Sequence, residues 1–295
     1  MNNIFIIIGQ TATGKTQLAY DLAKKYNGEI INCDSRQVYK LLDTITGKTI
    51  FPDIKTHLLD IVDPKEQFSS FDFVSLARPL ITKLVKKRIT PILVGGSYLY
   101  LKHLLYGNDT QVPADWKLRG ELNKKSVLEL QKILQKENPQ VFDKLNQSDR
   151  NNPHRLIRKI EIGLRHSRPD RESGEKQILN QVKDDTGGLQ NDNLSFQFIG
   201  LRFKSRKNLT KAVEKRVEQR IKDGAFQEVK HLIKNGYKLT DPGLNTIGYK
   251  QIFEYYEGKL SMEKTIEQWI SKELQYAKRQ YTFMKKDKNI KWQLV

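Results

Sequence analysis

Gly9-Gln10-Thr11-Ala12-Thr13-Gly14-Lys15-Thr16 is the stretch of this chain whose residue types and spacing most clearly do chemistry. Glycine at each end of a short loop, followed by Lys-Thr, lets backbone N–H groups wrap an anion. Lys15 adds a point charge, and the Thr16 hydroxyl is placed for Mg²⁺. The loop does not identify its ligand, since ATP, GTP and other pyrophosphate compounds all fit. A nucleoside triphosphatase adds an Asp at the end of another apolar strand, but the apolar run at 92–94 ends in Gly95-Gly96. The clearest carboxylate at a strand end is Asp34. It can hold Mg²⁺ through water, take a proton from an acceptor nucleophile, or cap a helix over Ser35–Tyr39. Beside it stand Arg36 and Gln37, and such side chains suit base edges, Gln facing adenine and Arg facing guanine or phosphate. A base-reading side chain next to a carboxylate points to chemistry on a nucleobase.

These residues need a frame to hold them. Ile4–Ile8 is a short β-branched run ended by Gly9, as a strand buried on both faces requires. The segment 15–25 places Leu18, Ala19, Leu22 and Ala23 on one helical face. Ile30 and Ile31 begin a second strand that runs to Cys33-Asp34. A helix over 73–87 and a strand over 92–94 follow. Strands alternating with helices predict a parallel sheet, with ligands beyond the carboxyl ends of the strands. The loop, Asp34 and Gly95-Gly96-Ser97 all fall at those ends. Residues 114–164 read as polar helices, and 168–193 as a polar, turn-rich loop. A strand over 196–203, helices from Leu209 and a last strand over 290–294 complete the pattern. The expectation is an α/β fold with a P-loop NTPase-like parallel core from 1–112 and 196–295, and a helical insertion domain at 113–195.

Seven segments carry a family resemblance: GQTATGKT, then NCDSRQVY, THLLDIVDP (56–64), ILVGGSYLYLKHLLYG (92–107), NPHRLIRKIEI (152–162), IGYKQ (247–251) and QYAKRQYTF (275–283). In that order the chain resembles the tRNA dimethylallyltransferases, also called tRNA isopentenyltransferases, from residue 4 to about 284, and thinly at 165–195. The resemblance implies transfer of a dimethylallyl group from its diphosphate to N6 of adenosine 37 in the anticodon stem-loop of tRNA, with Mg²⁺ as the metal. It implies that the loop Gly9–Thr16 binds the donor's diphosphate and that Asp34 is the general base. Thr11, Lys15 and Thr16 match the diphosphate and metal ligands, with Thr11 in the catalytic set, and Arg216 matches the arginine that stabilises the leaving pyrophosphate. RNA contact is implied for Asp34, Ser35, Arg36 and Gln37, for Ser97, for Arg119, for His154, Arg155 and Arg158, and for Gly248, Tyr249 and Lys250. The chain departs from the family where Gln10 replaces a common Pro, Thr13 a common Ser, and Tyr98 a small Gly.

Composition fits this expectation. The chain of 295 residues has a net charge of +18. Residues 201–295 hold 22 basic against 11 acidic residues, compared with 14 against 10 in 1–112 and 16 against 13 in 113–200. A basic excess gathered in the last third favours a polyanion, because each neutralised phosphate releases counterions. Cys33 is the only cysteine, so neither an internal disulfide nor a cysteine metal site can form. No run approaches the roughly 20 apolar residues of a membrane span. The resulting expectation is a cytoplasmic monomer with no membrane association. His57 and His103, Asp60 and Asp63, and Trp116, Trp269 and Trp292 read as structural residues.

Overall fold

The computed structural model describes residues 3–107, 113–166, 189 and 194–295. Of the turn-rich stretch 168–193, all but Leu189 lies outside the described residues. The chain divides into two compact units, one built from Met1–Tyr106 and Leu189–Val295, the other from Gly107–Gly188.

In the first unit the β-branched run forms β1 (Asn3–Gly9), buried from Ile4 onward. It leads through the glycine loop into α1 (Lys15–Tyr26). β2 (Gly28–Asn32) and the two-residue β3 (Thr56–His57) follow. Next come α2 (Ser70–Lys86), β4 (Thr90–Gly95) and α3 (Tyr98–Tyr106). β5 (Ser195–Arg202) returns the chain to the sheet, and β6 (Lys291–Leu294) closes it. The six strands stand in the order β3-β2-β4-β1-β5-β6, and every pairing is parallel. This is the α/β fold class the sequence implies. β1 is central, with Ile6 opposite Leu93 on one side and Phe198 on the other. The carboxyl ends of β1, β2 and β4 therefore lie side by side. Gly9 sits where β1 leaves the sheet; at φ +147° a Cβ there would stand 2.1 Å from the Leu201 carbonyl oxygen, so only glycine fits.

Between β2 and β3 the chain wanders without regular structure, held by the buried Lys48 and by the half-buried Glu228. Lys48, its side chain 3% exposed, donates to the Tyr39 carbonyl at 2.6 Å, to Asp43 at 2.7 Å and to Asp60. The Glu228 carboxylate accepts the N–H groups of Asp43 (3.0 Å) and Thr44 (2.7 Å). α2 begins three residues ahead of the sequence expectation, because Ser69 and Asp72 form a capping box.

After β5 come α9 (Arg206–Lys222), α10 (Ala225–Lys234), α11 (Tyr249–Tyr256) and α12 (Met262–Met284). They share a core of Val213, Val217, Val229, Ile252, Trp269 and Ala277.

The second unit is helical over its described residues: α4 (Trp116–Leu122), α5 (Val127–Glu137), α6 (Pro139–Asp143), α7 (Gln147–Arg150) and α8 (Pro153–His166). Leu122, Leu130, Leu134, Leu156, Ile157 and Ile160 fill its interior.

Candidate active site

The glycine loop is fastened by two glutamines. Gln10 Oε1 accepts the Phe203 N–H at 3.0 Å, and its Nε2 donates to the Ala277 carbonyl at 3.4 Å. Gln280 Oε1 accepts the Thr11 N–H at 2.9 Å, and its Nε2 donates to the Gly96 carbonyl at 3.2 Å. The loop is thus tied to β4, β5 and α12 together. The structure gives the Gln10 side chain a fastening role. Inside the loop Thr13 Oγ1 and Lys15 Nζ both donate to the Gln10 carbonyl, at 2.8 and 2.6 Å.

A cavity of about 540 Å³ opens over this loop. Thr11 to Thr16, Asp34 to Gln37, and Arg216 all line it, so much of the expected site converges on one space. Asp34 is set at the end of β2 by Asn32, whose Oδ1 accepts the Asp34 N–H at 3.0 Å. Asp34 Oδ1 in turn accepts the Arg36 N–H at 2.9 Å, so one oxygen caps a turn where the sequence suggests a helix over 35–39. Its Oδ2 lies over Gly96, 3.6 Å from where a Cβ would stand, and no protein donor reaches it among the described residues. One oxygen of this carboxylate is thus engaged with the backbone and the other is open to the cavity side.

The neighbours are more committed than their residue types suggest. Ser97 Oγ accepts the Ser35 N–H at 2.9 Å and donates to Ser35 Oγ at 3.0 Å, acting through Ser35. Gln37 Nε2 donates to the carbonyls of Thr46 (3.1 Å) and Gly47 (3.2 Å). Its amide hydrogens are engaged in the cavity wall. Arg36 reaches the Pro242 carbonyl at 3.3 Å.

Cations outnumber carboxylates around this space: Lys15, Arg36, Arg216, Arg220 and Arg279 against Asp34 and Glu273. Arg216 donates to the Thr46 carbonyl at 3.4 Å, and its buried Nε has no hydrogen-bond partner among the described residues. Arg220, one helical turn on, is buried against Glu273 at 3.0 Å. Burial, and then the charge of Arg216, pulls Arg220 down to about 10. The same two causes in the same order pull the Lys15 ammonium down to about 7, against the opposing pull of Asp34 and Glu273. Polyvalent anions suit such a place, since they would restore the charge that burial disfavours.

Sequence reasoning missed Arg220 and Glu273, and it did not foresee that Tyr276 and Gln280, within the segment QYAKRQYTF, line this cavity. A signal was present: on α12, positions 273, 276 and 280 continue the stripe of Trp269 and Ala277, so polar residues stand where an amphipathic helix buries its face.

Other expected residues stand elsewhere. Gly248 has φ +94°, and a Cβ on it would meet Trp269 at 2.8 Å and Ile45 at 2.5 Å. Tyr249 is fully buried and donates its hydroxyl to Glu228 at 2.5 Å. Both are packed into the core of the C-terminal helices. Lys250 is half exposed, 3.9 Å from Glu254. In the helical unit, Glu161 is buried and accepts Arg119 Nη2 at 2.7 Å, Arg158, and the Asp115 N–H at 2.5 Å. Burial alone would raise this carboxyl; the Arg119 guanidinium, the Asp115 N–H and Arg158 outweigh it and hold it below its usual range. Arg119 and Arg158 thus spend charge on an internal pairing. Arg155 is exposed and pairs with Asp149, and His154 is exposed. His57 pairs with Glu29 at 2.5 Å, Asp63 accepts the Tyr237 hydroxyl at 3.1 Å, and Trp269 is core, all structural as expected.

Comparison with known proteins adds to this geometry. The family model described as IPP transferase matches residues 37–287, and one described as isopentenyl transferase matches 2–62. A tRNA dimethylallyltransferase of Endomicrobium trichonymphae is 35% identical over 292 residues, covering 96% of this chain and 92% of the relative. The full-length tRNA isopentenylpyrophosphate transferase of Bacillus halodurans superposes with a TM-score of 0.69 at 31% identity, covering 99% of this chain and 90% of that one. A eukaryotic dimethylallyltransferase acting on tRNA superposes at 0.76 with 26% identity, over 96% of this chain and 70% of that one.

Proposed function

The chain belongs to the IPP transferase family, and from that premise we propose that it transfers a dimethylallyl group from dimethylallyl diphosphate to N6 of adenosine 37 in tRNA, releasing pyrophosphate. The observation that carries this reading is the shared cavity. Asp34 Oδ2 faces the same space as the anion loop and Arg216, so a proton acceptor and a cradle for a departing diphosphate stand on either side of one reacting centre. The volume is of the size that encloses a small organic molecule.

The adenine amine is a poor nucleophile, because its lone pair is delocalised into the ring. As its nitrogen bonds to the first carbon of the allyl group, the bond from that carbon to diphosphate oxygen breaks. The electron pair leaves with pyrophosphate, and the N6 proton passes to Asp34. Loop N–H groups, the amino end of α1, Lys15 and Arg216 stabilise the leaving charge. Alignment supplies about 7–11 kcal/mol in good cases, and a placed base about 10²–10⁴-fold in rate. The reacting base must leave its stack to enter the cavity.

Mg²⁺ fits the donor set. Thr16 lines the cavity, and among the described residues no three of His, Cys, Asp or Glu gather as metal ligands. A hard cation held by one hydroxyl, substrate phosphates and water suits those facts. Such an ion supplies charge neutralisation on the diphosphate. In the helical insertion, exposed His154 and Arg155 are the side chains best placed for the anticodon stem-loop. The basic last third supports RNA binding by a single copy, and no described helix is long and apolar enough to cross a membrane, in keeping with a cytoplasmic monomer.

The test is to incubate the protein with Mg²⁺, labelled dimethylallyl diphosphate and unmodified tRNA, then digest the RNA. Label on N6 of adenosine 37 is expected. No label, with steady ATP consumption on a small acceptor, would overturn this reading in favour of an ATP-dependent kinase.

A further inference from the structure

Arg279 lines the reaction cavity, and it also lines a second, shallower groove of about 260 Å³ on the outward face of α12. The other walls of that groove are Lys278, Thr282, Phe283 and Lys286. Phe283 is 44% exposed, although it is a large apolar ring. The ring is not loose. Tyr98 meets it edge-on, with centroids 5.2 Å apart and planes at 89°. Tyr98 is anchored in turn, donating its hydroxyl to Asp287 Oδ2 at 2.7 Å, and Tyr106 donates to the same oxygen at 2.7 Å. That nearby carboxylate is therefore taken up by two hydroxyls. Lys278, Arg279 and Lys286 make no ion pair among the described residues. Tyr98 stands where the resembling family has a glycine, so this buttress is a feature of the present chain.

A lone exposed Phe or a lysine-rich helix face is ordinary surface. A braced aromatic face, ringed by three cations and sharing Arg279 with the reaction cavity, is a different matter. Single-stranded nucleic acid is held by this pairing of stacking ring and phosphate-neutralising cations. The reacting adenosine is one unit of a polymer, and unstacking it leaves its neighbour's base without a partner. We propose that the groove is a subsite for the nucleotide adjacent to the reacting adenosine, with its base stacked on Phe283 and its phosphate among Arg279, Lys278 and Lys286. A peptide is the poorer occupant, because the lining offers cations and a ring but no unpaired backbone edge. The proposal rests on the RNA-prenylation reading above.

The test measures binding and transfer for wild type, Phe283→Ala, Phe283→Leu and Phe283→Trp. The substrates are an anticodon stem-loop RNA and two copies of it, each abasic at one neighbour of the reacting adenosine. Phe283→Ala is expected to weaken binding of the intact RNA about 5- to 100-fold, the range of one lost stack. Phe283→Leu should be weakened nearly as much and Phe283→Trp should bind normally, with the KM for dimethylallyl diphosphate unchanged throughout. On one of the two abasic RNAs the difference between wild type and Phe283→Ala should vanish. An intact-RNA affinity unaltered by Phe283→Ala, a penalty undiminished on both abasic RNAs, or full rescue by leucine would overturn the subsite. If wild type binds the RNA but transfers no prenyl group, the functional reading fails, while the affinity comparison still judges the groove.

Discussion

The two oxygens of Asp34 have different surroundings, one bound to the Arg36 N–H and one without a protein donor among the described residues, and the proposed base role belongs to the second. Asp34→Ala is expected to lower turnover by about 10²–10⁴-fold while leaving most RNA affinity in place; single-turnover rates beside a binding isotherm check both halves, and a near-normal rate would remove Asp34 from the base role. Lys15 gives a pH dependence. Folded, it loses its proton near pH 7, whereas the ordinary lysine value is 10.5. Between those values the unfolded chain binds more protons, so the Lys15 contribution to folding stability rises with pH across that window and is least favourable below it. Pyrophosphate acts in the opposite sense, because it favours the charged ammonium: its affinity should fall as pH rises above 7, and binding there should take up a proton. Calorimetry at pH 8 in two buffers of different ionisation heat, on wild type and Lys15→Met, reads that uptake as the difference between the proteins. Identical buffer dependence in both would contradict it. Lys15 and Asp34 were legible in the sequence because their context is local, a strand end beside a turn. Arg220 and Gln280 were not, since their partners, Glu273 and Thr11, lie 53 and 269 residues away.

At the level of elements, local pattern succeeds where an element makes its own pattern. β1, α1, β4 and β5 carry apolar runs or helical stripes and appear close to where those patterns put them. β3 escaped because two residues have no period; it exists only because β2 offers an edge at Ile30 and Ile31. The early start of α2 escaped because its capping box uses Asp72 in place of the commoner Glu. Gln10 belongs at this scale, since it joins the loop to β5 and α12. Its own N–H also bonds the Leu201 carbonyl at 3.1 Å. Gln10→Pro, although it installs the family's common residue, is therefore expected to destabilise this chain. It deletes that backbone bond and leaves the Phe203 N–H without its acceptor, at about 1–3 kcal/mol for each group stranded away from water. Urea unfolding checks this, and an unchanged midpoint would show that the loop holds without the staple.

For the whole molecule, charge was readable from composition, but its placement was only partly so. The excess in 201–295 includes Arg216 and Arg220, which face inward, as well as Lys278, Arg279 and Lys286 on the outer face of α12. Only the outer set should report in salt titrations. Lys278→Ala with Arg279→Ala is expected to flatten the slope of log affinity for RNA against log salt by about 1 to 2; filter binding from low to moderate salt measures it, and an unaltered slope would make that helix plain solvated surface. The two glutamine staples have a consequence for how the protein comes into being. The residues that fasten the phosphate loop, Ala277 and Gln280, are made 267 to 269 residues after the positions they hold. At about 5–20 residues per second, roughly 13–54 s of translation separate a loop that has its sequence from one that has its supports. Until Gln280 is made, the loop lacks the side-chain acceptor for its Thr11 N–H. A release series should show pyrophosphate protection of the loop from proteolysis only once residues beyond Gln280 have emerged, so that a truncated product of interrupted synthesis cannot sequester the donor.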